Sequence, residues 1–117
     1  MKTEKRLFGD WGEEMAARYL THRDYRILDR NVMYGSLELD IVAEWFGEII
    51  FVEVKTRRDE SFSKAEDAVD MQKQQNIREA AHAYMLHHGL HKPFRYDVMT
   101  VVGNAESYEV KHIKRAF

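Results

Sequence analysis

The chain predicts an α/β fold, a central mixed sheet of about five strands flanked by helices. Three observations carry that expectation. Apolar residues recur at three- and four-residue spacings in two stretches, one near the N-terminus and one ending before Gly89, which is the stripe of an amphipathic helix. Between and after these stretches lie apolar or alternating runs bounded by turn residues, as strands are. With 117 residues, 44% of them hydrophobic, and one proline, the chain can fill one core but not two, so residues 1–117 are expected to form a single domain.

Taken in order, Thr3 to His22 reads as a helix whose stripe is Phe8, Trp11, Met15, Ala16, Tyr19 and Leu20, with Glu13 beside it. An Asp10-x-x-Glu13 capping box is one reading of that glutamate, and it needs a helix start at Asp10. Tyr25 to Met33 reads as a first strand. Gly35 to Arg57 reads as two more strands joined by a turn centred between Phe46 and Gly47, glycine being the natural residue for a positive φ. A polar loop, Arg57 to Ser63, leads to a Ser63-x-x-Glu66 capping box. Helical pattern then continues to about His88, interrupted near Asp70, with Ile77, Ala80, Ala81, Tyr84 and Met85 as its buried face. Phe94 to Val102 and Tyr108 to Lys114 are the last two strands, on either side of a Gly103-Asn104 turn.

Charges inside the Gly35 to Arg57 hairpin are the functional lead. By the period of two, Glu38 and Asp40 share one face of their strand, and Glu53 and Lys55 share one face of theirs. The turn sets a register with Val42 opposite Phe51, Asp40 opposite Glu53 and Glu38 opposite Lys55. Two facing carboxylates repel unless a proton, a cation or a metal offsets them. Lys55 is one such cation; Mg²⁺ or Mn²⁺, which prefer oxygen ligands, would be another. The blander alternative is a cross-strand salt-bridge ladder on a wet face. Against it stand the apolar neighbours Ile49, Ile50, Phe51, Val52 and Val54, which suit a central strand, and the basic run Thr56-Arg57-Arg58, which suits a phosphate.

Asp40, twelve residues, then Glu53-Val54-Lys55 resembles the Asp…Glu-x-Lys signature of restriction-endonuclease-like nucleases. The chain as a whole is similar to the YraN-like family of small predicted endonucleases, related in pattern to archaeal Holliday junction resolvases. The similarity runs through Gly9-x-x-Gly12-Glu13-x-x-Ala16-x-x-Tyr19-Leu20, Tyr25-Arg26-Ile27-Leu28-x-Arg30-Asn31, Glu38 to Ala43, Phe51 to Arg57, Ala68-Val69 with Lys73, Arg95-Tyr96-Asp97-Val98, and His112-Ile113 before Ala116-Phe117. It departs at Leu37, where the family usually has Gly. The resemblance implies a restriction-endonuclease-like core and a metal-dependent endonuclease acting on DNA, including branched or junction DNA. It implies Asp40 and Glu53 as ligands of Mg²⁺ or Mn²⁺ with the Val54 carbonyl as a third, Glu13 as a further acidic ligand brought by the first helix, and Lys55 positioning the attacking water. Arg57, Arg58 and Lys73 become phosphate contacts, and Glu38 pairs with Lys55.

Composition narrows the other classes. No cysteine is present, which excludes disulfides and thiolate metal sites. The net charge of −2 argues against a non-specific polyanion coat protein but leaves room for a local basic surface. No apolar run approaches a membrane span, so a soluble cytoplasmic protein is the expectation. His87, His88 and His91 straddle the end of a helix and do not share a face, so they are read as surface residues, and His112 as structural. Lys73, Gln74 and Arg78 lie away from the buried helical face, where solvated residues are usual. Two other classes stay open: a nucleic-acid-binding accessory module with an unused site, and a structural ion-pair network in a protein that works by protein contacts. A glycosidase is a distant third, because so short a chain could hardly enclose a sugar cleft. A homodimer would suit cutting both strands of a symmetric junction.

Overall fold

The computed structural model describes residues 1–60 and 69–117. In it the chain runs α1 (Glu4–Thr21), β1 (Arg26–Tyr34), β2 (Leu37–Trp45), β3 (Glu48–Arg57), α2 (Met71–His87), β4 (Phe94–Gly103) and β5 (Tyr108–Ile113). The strands form one mixed sheet in sequence order. Among the described residues only β3 and β4 pair in parallel, and α2 lies in the crossover that a parallel pair requires. The expected fold class is the observed one. The Ser63-x-x-Glu66 capping box and Ala68 lie outside the described residues.

Among the described residues, one helix covers each face. Met15, Ala16, Ala17 and Leu20 of α1 pack on Ile41, Ile50, Val52, Met99 and Val101, while Ile77, Ala80, Ala81 and Tyr84 of α2 pack on Val42, Ile49, Phe51, Tyr96 and Val98. Adjacent residues of β3 thus feed both cores, which is why its run reads as continuously apolar. Both helices start where a side chain can take an orphan N–H. Thr3 accepts from the Arg6 amide at 3.1 Å, so α1 begins well before Asp10, and Asp10 pairs with Lys2 at 2.7 Å instead. The capping-box reading of Glu13 therefore fails. Asp70 accepts from the Lys73 amide at 2.8 Å, which accounts for the break in helical pattern at that residue.

The hairpin register holds near the turn and fails where the charges begin. Trp45 pairs with Glu48 across a two-residue turn, Phe46 and Gly47, with φ of 48° and 79°. Val42 faces Phe51 as expected, but the β2–β3 ladder ends at Ile41 with Val52, so neither Asp40–Glu53 nor Glu38–Lys55 is a ladder pair. Beyond that point β3 stays with β4 through Arg57, while β2 stays with β1. Alternation also breaks there. Leu39 packs into the α2 core although Ile41 packs into the α1 core, and Asn31, at the level of Asp40 in the neighbouring strand, has φ of 54°. Two half-buried carboxylates facing each other at ladder spacing would carry an electrostatic penalty. The strands fork instead.

At the other end of β3 and β4 the polar groups are matched. Asp97, fully buried, takes Arg95 Nε at 2.9 Å, His112 Nε2 at 2.7 Å and the Arg115 amide at 3.1 Å. Arg95 also reaches Glu48 and the Tyr25 hydroxyl, each at 3.0 Å. Burial raises the Asp97 pKa, but these partners outweigh it and hold the carboxyl below its usual range. His112 is thus structural, as expected from the sequence. Arg78 also has a packing role, its guanidinium lying over the Tyr96 and Phe117 rings.

Gly12 sets how closely α1 approaches β3. A Cβ at that position would stand 2.1 Å from Thr56 Oγ1 and 2.6 Å from its Cγ2. Gly12→Ala is therefore expected to destabilise by about 1–3 kcal/mol in urea melts, because overpacking exceeds the roughly 1 kcal/mol gained from helix propensity. Adding Thr56→Ala should recover part of that loss; independent, additive effects would show that the helix does not rest on Thr56.

Candidate functional site

The fork between β2 and β3 opens into a cleft of about 470 Å³ under the N-terminal half of α1. Glu13 comes from the helix, Glu38 and Asp40 from β2, and Val54, Lys55 and Arg57 from β3. Asp40 closes the open ladder with its side chain: Oδ2 accepts the Val54 N–H at 2.9 Å, a donor that a regular hairpin would have given to a backbone carbonyl. One carboxylate oxygen is thereby tied to the sheet, which orients the other.

The acidic groups are held against their preference. Burial is the main reason the Asp40 carboxyl is pushed up to about 7, followed by the Glu53 charge and a hydrogen bond with Glu53; the Val54 amide and Glu38 offset only part. Glu13 is also pushed up to about 7, first by burial and then by Asp40, with Arg30, whose Nε is 3.7 Å away, and the Asn31 amide acting the other way. Its Oε1 is buried with no hydrogen-bond partner among the described residues. Glu38 is raised by burial and by Asp40, and Arg6 and Lys73 counter this. A cation brought here would relieve three carboxyls at once.

Of the residues singled out in the sequence, Glu13, Asp40, Val54, Lys55 and Arg57 line the one cleft. Glu53 adjoins Asp40, and its Oε2 is 3.6 Å from the Lys73 ammonium of α2. Lys73, expected from the sequence as a phosphate contact, thus stands beside an acidic side chain with its own side chain partly exposed. Arg58 is exposed, with its guanidinium over the Phe8 ring at 4.6 Å. His88 lies against Tyr84 with ring centroids 4.1 Å apart and planes tilted by 32°. Arg6, Arg30 and Asn31 were missed. The signal for Asn31 was its residue type, since asparagine tolerates a left-handed backbone; Arg30 stood beside it in the family pattern with no role attached, and nothing local marked Arg6.

The donor set is all oxygen, which fits a hard divalent cation. Among the described residues no group of three or more His, Cys, Asp or Glu side chains is arranged to enclose a metal. A cation here would therefore take much of its shell from water or a bound anion, which suits Mg²⁺. Among the described residues no helix is long and apolar enough to cross a membrane.

Residues 12–101 match the model of the uncharacterised protein family UPF0102. A UPF0102 protein of Bacteroides fragilis is 44% identical over 114 residues, covering 97% of this chain and 94% of that one. The Phocaeicola vulgatus UPF0102 protein is 42% identical over the same shares, and that of Syntrophomonas wolfei is 40% identical over 96% of this chain and 98% of its own.

A carboxyl whose folded pKa lies above its unfolded value stabilises the fold in acid, and that contribution is lost as pH rises through the folded pKa. With Asp40 and Glu13 raised from about 4 to about 7, stability is expected to fall between pH 4 and pH 7 by on the order of a few kcal/mol from these two groups. Asp40→Asn should melt higher than the parent at pH 8 and nearly level with it at pH 4.5. A lower melting temperature for the variant at pH 8 would mean that Asp40 is not under strain.

Proposed function

The chain belongs to the uncharacterised protein family UPF0102, and for it we propose a divalent-metal-dependent endonuclease of the restriction-endonuclease-like type, hydrolysing phosphodiester bonds in DNA, branched DNA included. The observation that carries this reading is the forked hairpin, where Asp40 wedges the ladder open beside Glu53 and Lys55 lines the same cleft. Structural ion pairs do not need an opened ladder and a half-buried cleft in which acidic groups are crowded against one another. A site for a cation and a phosphate does.

Asp40, Glu53 and Glu13, with the Val54 carbonyl, would hold Mg²⁺ or Mn²⁺. When bound, such an ion polarises a phosphodiester oxygen and makes a water a stronger acid. The chain's own groups do the rest. Val54 N–H fixes the Asp40 carboxylate, so its remaining oxygen does not have to be ordered at the moment of reaction. Lys55 would hold the water that attacks phosphorus and steady the charge that builds as the P–O bond to the leaving oxygen breaks. Lys73 balances Glu53, leaving Glu53 less repelled by Asp40. Lys5, Arg6 and Arg57 line the cleft with positive charge, and Arg58 stands beside it at Phe8; these suit a phosphate backbone.

A second reading has one observation in its favour. The Lys73 ammonium already partners Glu53, as it would in an accessory module that binds nucleic acid without cutting it. The deciding experiment is a labelled panel of linear duplex, single strand, flap and four-way junction with Mg²⁺ or Mn²⁺. Metal-dependent cutting is expected, abolished by EDTA and by Asp40→Asn, and reduced about 10²- to 10³-fold by Lys55→Ala. Binding without cutting in every lane would select the accessory module. In parallel, Mn²⁺ should raise the melting temperature of the parent and not that of Asp40→Asn; an equal rise in both would remove Asp40 from the metal site.

A further inference from the structure

A row of aromatic rings leads away from the cleft. Phe8, which lines it, stacks with Trp11 one helical turn on, their centroids 5.7 Å apart and planes at 16°. Trp11 meets Tyr108, the first residue of the edge strand β5, edge-on at 5.6 Å. The row is not sunk in the core: Phe8 and Trp11 are half-buried and Tyr108 is 48% exposed. Leu7 beside it is 54% exposed. The planar cation of Arg58 lies over the Phe8 ring, a contact worth little at an exposed site and readily exchanged.

From this arrangement we propose that Phe8, backed by Trp11 and flanked by Arg58, is a stacking platform for an unpaired nucleobase next to the phosphate held in the cleft. The inference rests on the endonuclease reading and adds the substrate class to it. A base inside a duplex has both faces covered by its neighbours, whereas an unpaired base has a π-face to offer. An aromatic face on the wall of a cleft that also carries Lys5, Arg6 and Arg57 therefore selects nucleic acid that is single-stranded or unstacked at the bound position. Arg58 then fits either over the base it has made way for or against the neighbouring phosphate, since guanidinium suits both. An intact duplex can reach only the positive lining. Packing alone would account for Trp11 against Tyr108, but not for an aromatic ring at the cleft wall carrying an exchangeable cation.

The test is equilibrium binding of fluorescently labelled oligonucleotides to the whole protein, with Ca²⁺ in place of Mg²⁺ so that binding is read without turnover. A single strand, a flap and a blunt duplex of matched length are compared for the parent, Phe8→Leu and Phe8→Trp. Stacking on an aromatic side chain is worth about 1–3 kcal/mol per base, or roughly five- to 150-fold in affinity. Phe8→Leu, which keeps an apolar side chain, should weaken single-strand and flap binding by about that factor and leave duplex binding unchanged. Phe8→Trp should bind the single strand and the flap as tightly as the parent does. Equal weakening of all three oligonucleotides, or none, would overturn the platform. Cleavage assays on the same proteins separate the two claims. Cutting that is indifferent to Phe8→Leu leaves the endonuclease and removes the platform. Phe8-dependent binding without cutting leaves the platform and removes the endonuclease. A melting temperature for Phe8→Leu close to that of the parent excludes misfolding as the cause, and if it falls, the response of Phe8→Trp decides.

Discussion

The hydrogen bond from the Val54 amide to Asp40 Oδ2 is the contact on which the candidate site depends. A β-hairpin ordinarily ends its ladder in solvent, where water takes the last amides. Here the ladder ends inside the molecule, at Ile41 and Val52, and an unpaired Val54 N–H would cost more than the hydrogen bond itself contributes. A carboxylate on the departing strand satisfies that donor. The same bond accompanies the parting of the strands and ties one oxygen of Asp40 to the sheet, beside Glu53 and Glu38.

What surrounds the fork keeps it open. Asn31 takes the left-handed conformation at the level of Asp40, turning both strands so that Leu39 and Ile41 fill opposite cores. Gly12 allows α1 to lie on Thr56 without an intervening side chain, and that approach brings Glu13 over the acidic group. Lys73, at the start of α2, comes from the opposite layer to Glu53. The acidic groups of α1 and β2 thus meet β3 at one opening, none of them through a loop, and positions on regular elements are the more rigid ones.

The two ends of the sheet show the same physics with opposite outcomes. Around Asp97, every buried charge meets an opposite charge or a donor at hydrogen-bond distance, and the carboxyl is stabilised in its ionised form. Around Asp40, burial is combined with like charge, and the carboxyl is destabilised in its ionised form. Low local dielectric strengthens both effects. A protein gains nothing for its own stability from the second arrangement, which is why strain of that kind points to a ligand.

Much of this was legible in the residues. The periodicities of Met15 to Leu20 and of Ile77 to Met85, the continuous apolar run of β3 and the glycine at the Phe46-Gly47 turn determine the element order, the mixed sheet and the position of Asp40, Glu53 and Lys55 along neighbouring strands, because these are local consequences of side-chain size and backbone freedom. They do not determine where a ladder stops. That depended on β4 holding one strand while β1 held the other, on a left-handed asparagine and on the approach of a helix at a glycine, all contacts between residues distant in sequence. The pairing of Lys73 with Glu53 and of Arg30 with Glu13 was decided in the same way. Sequence spacing places charges along their own elements, but only the packing of those elements brings them within reach of one another.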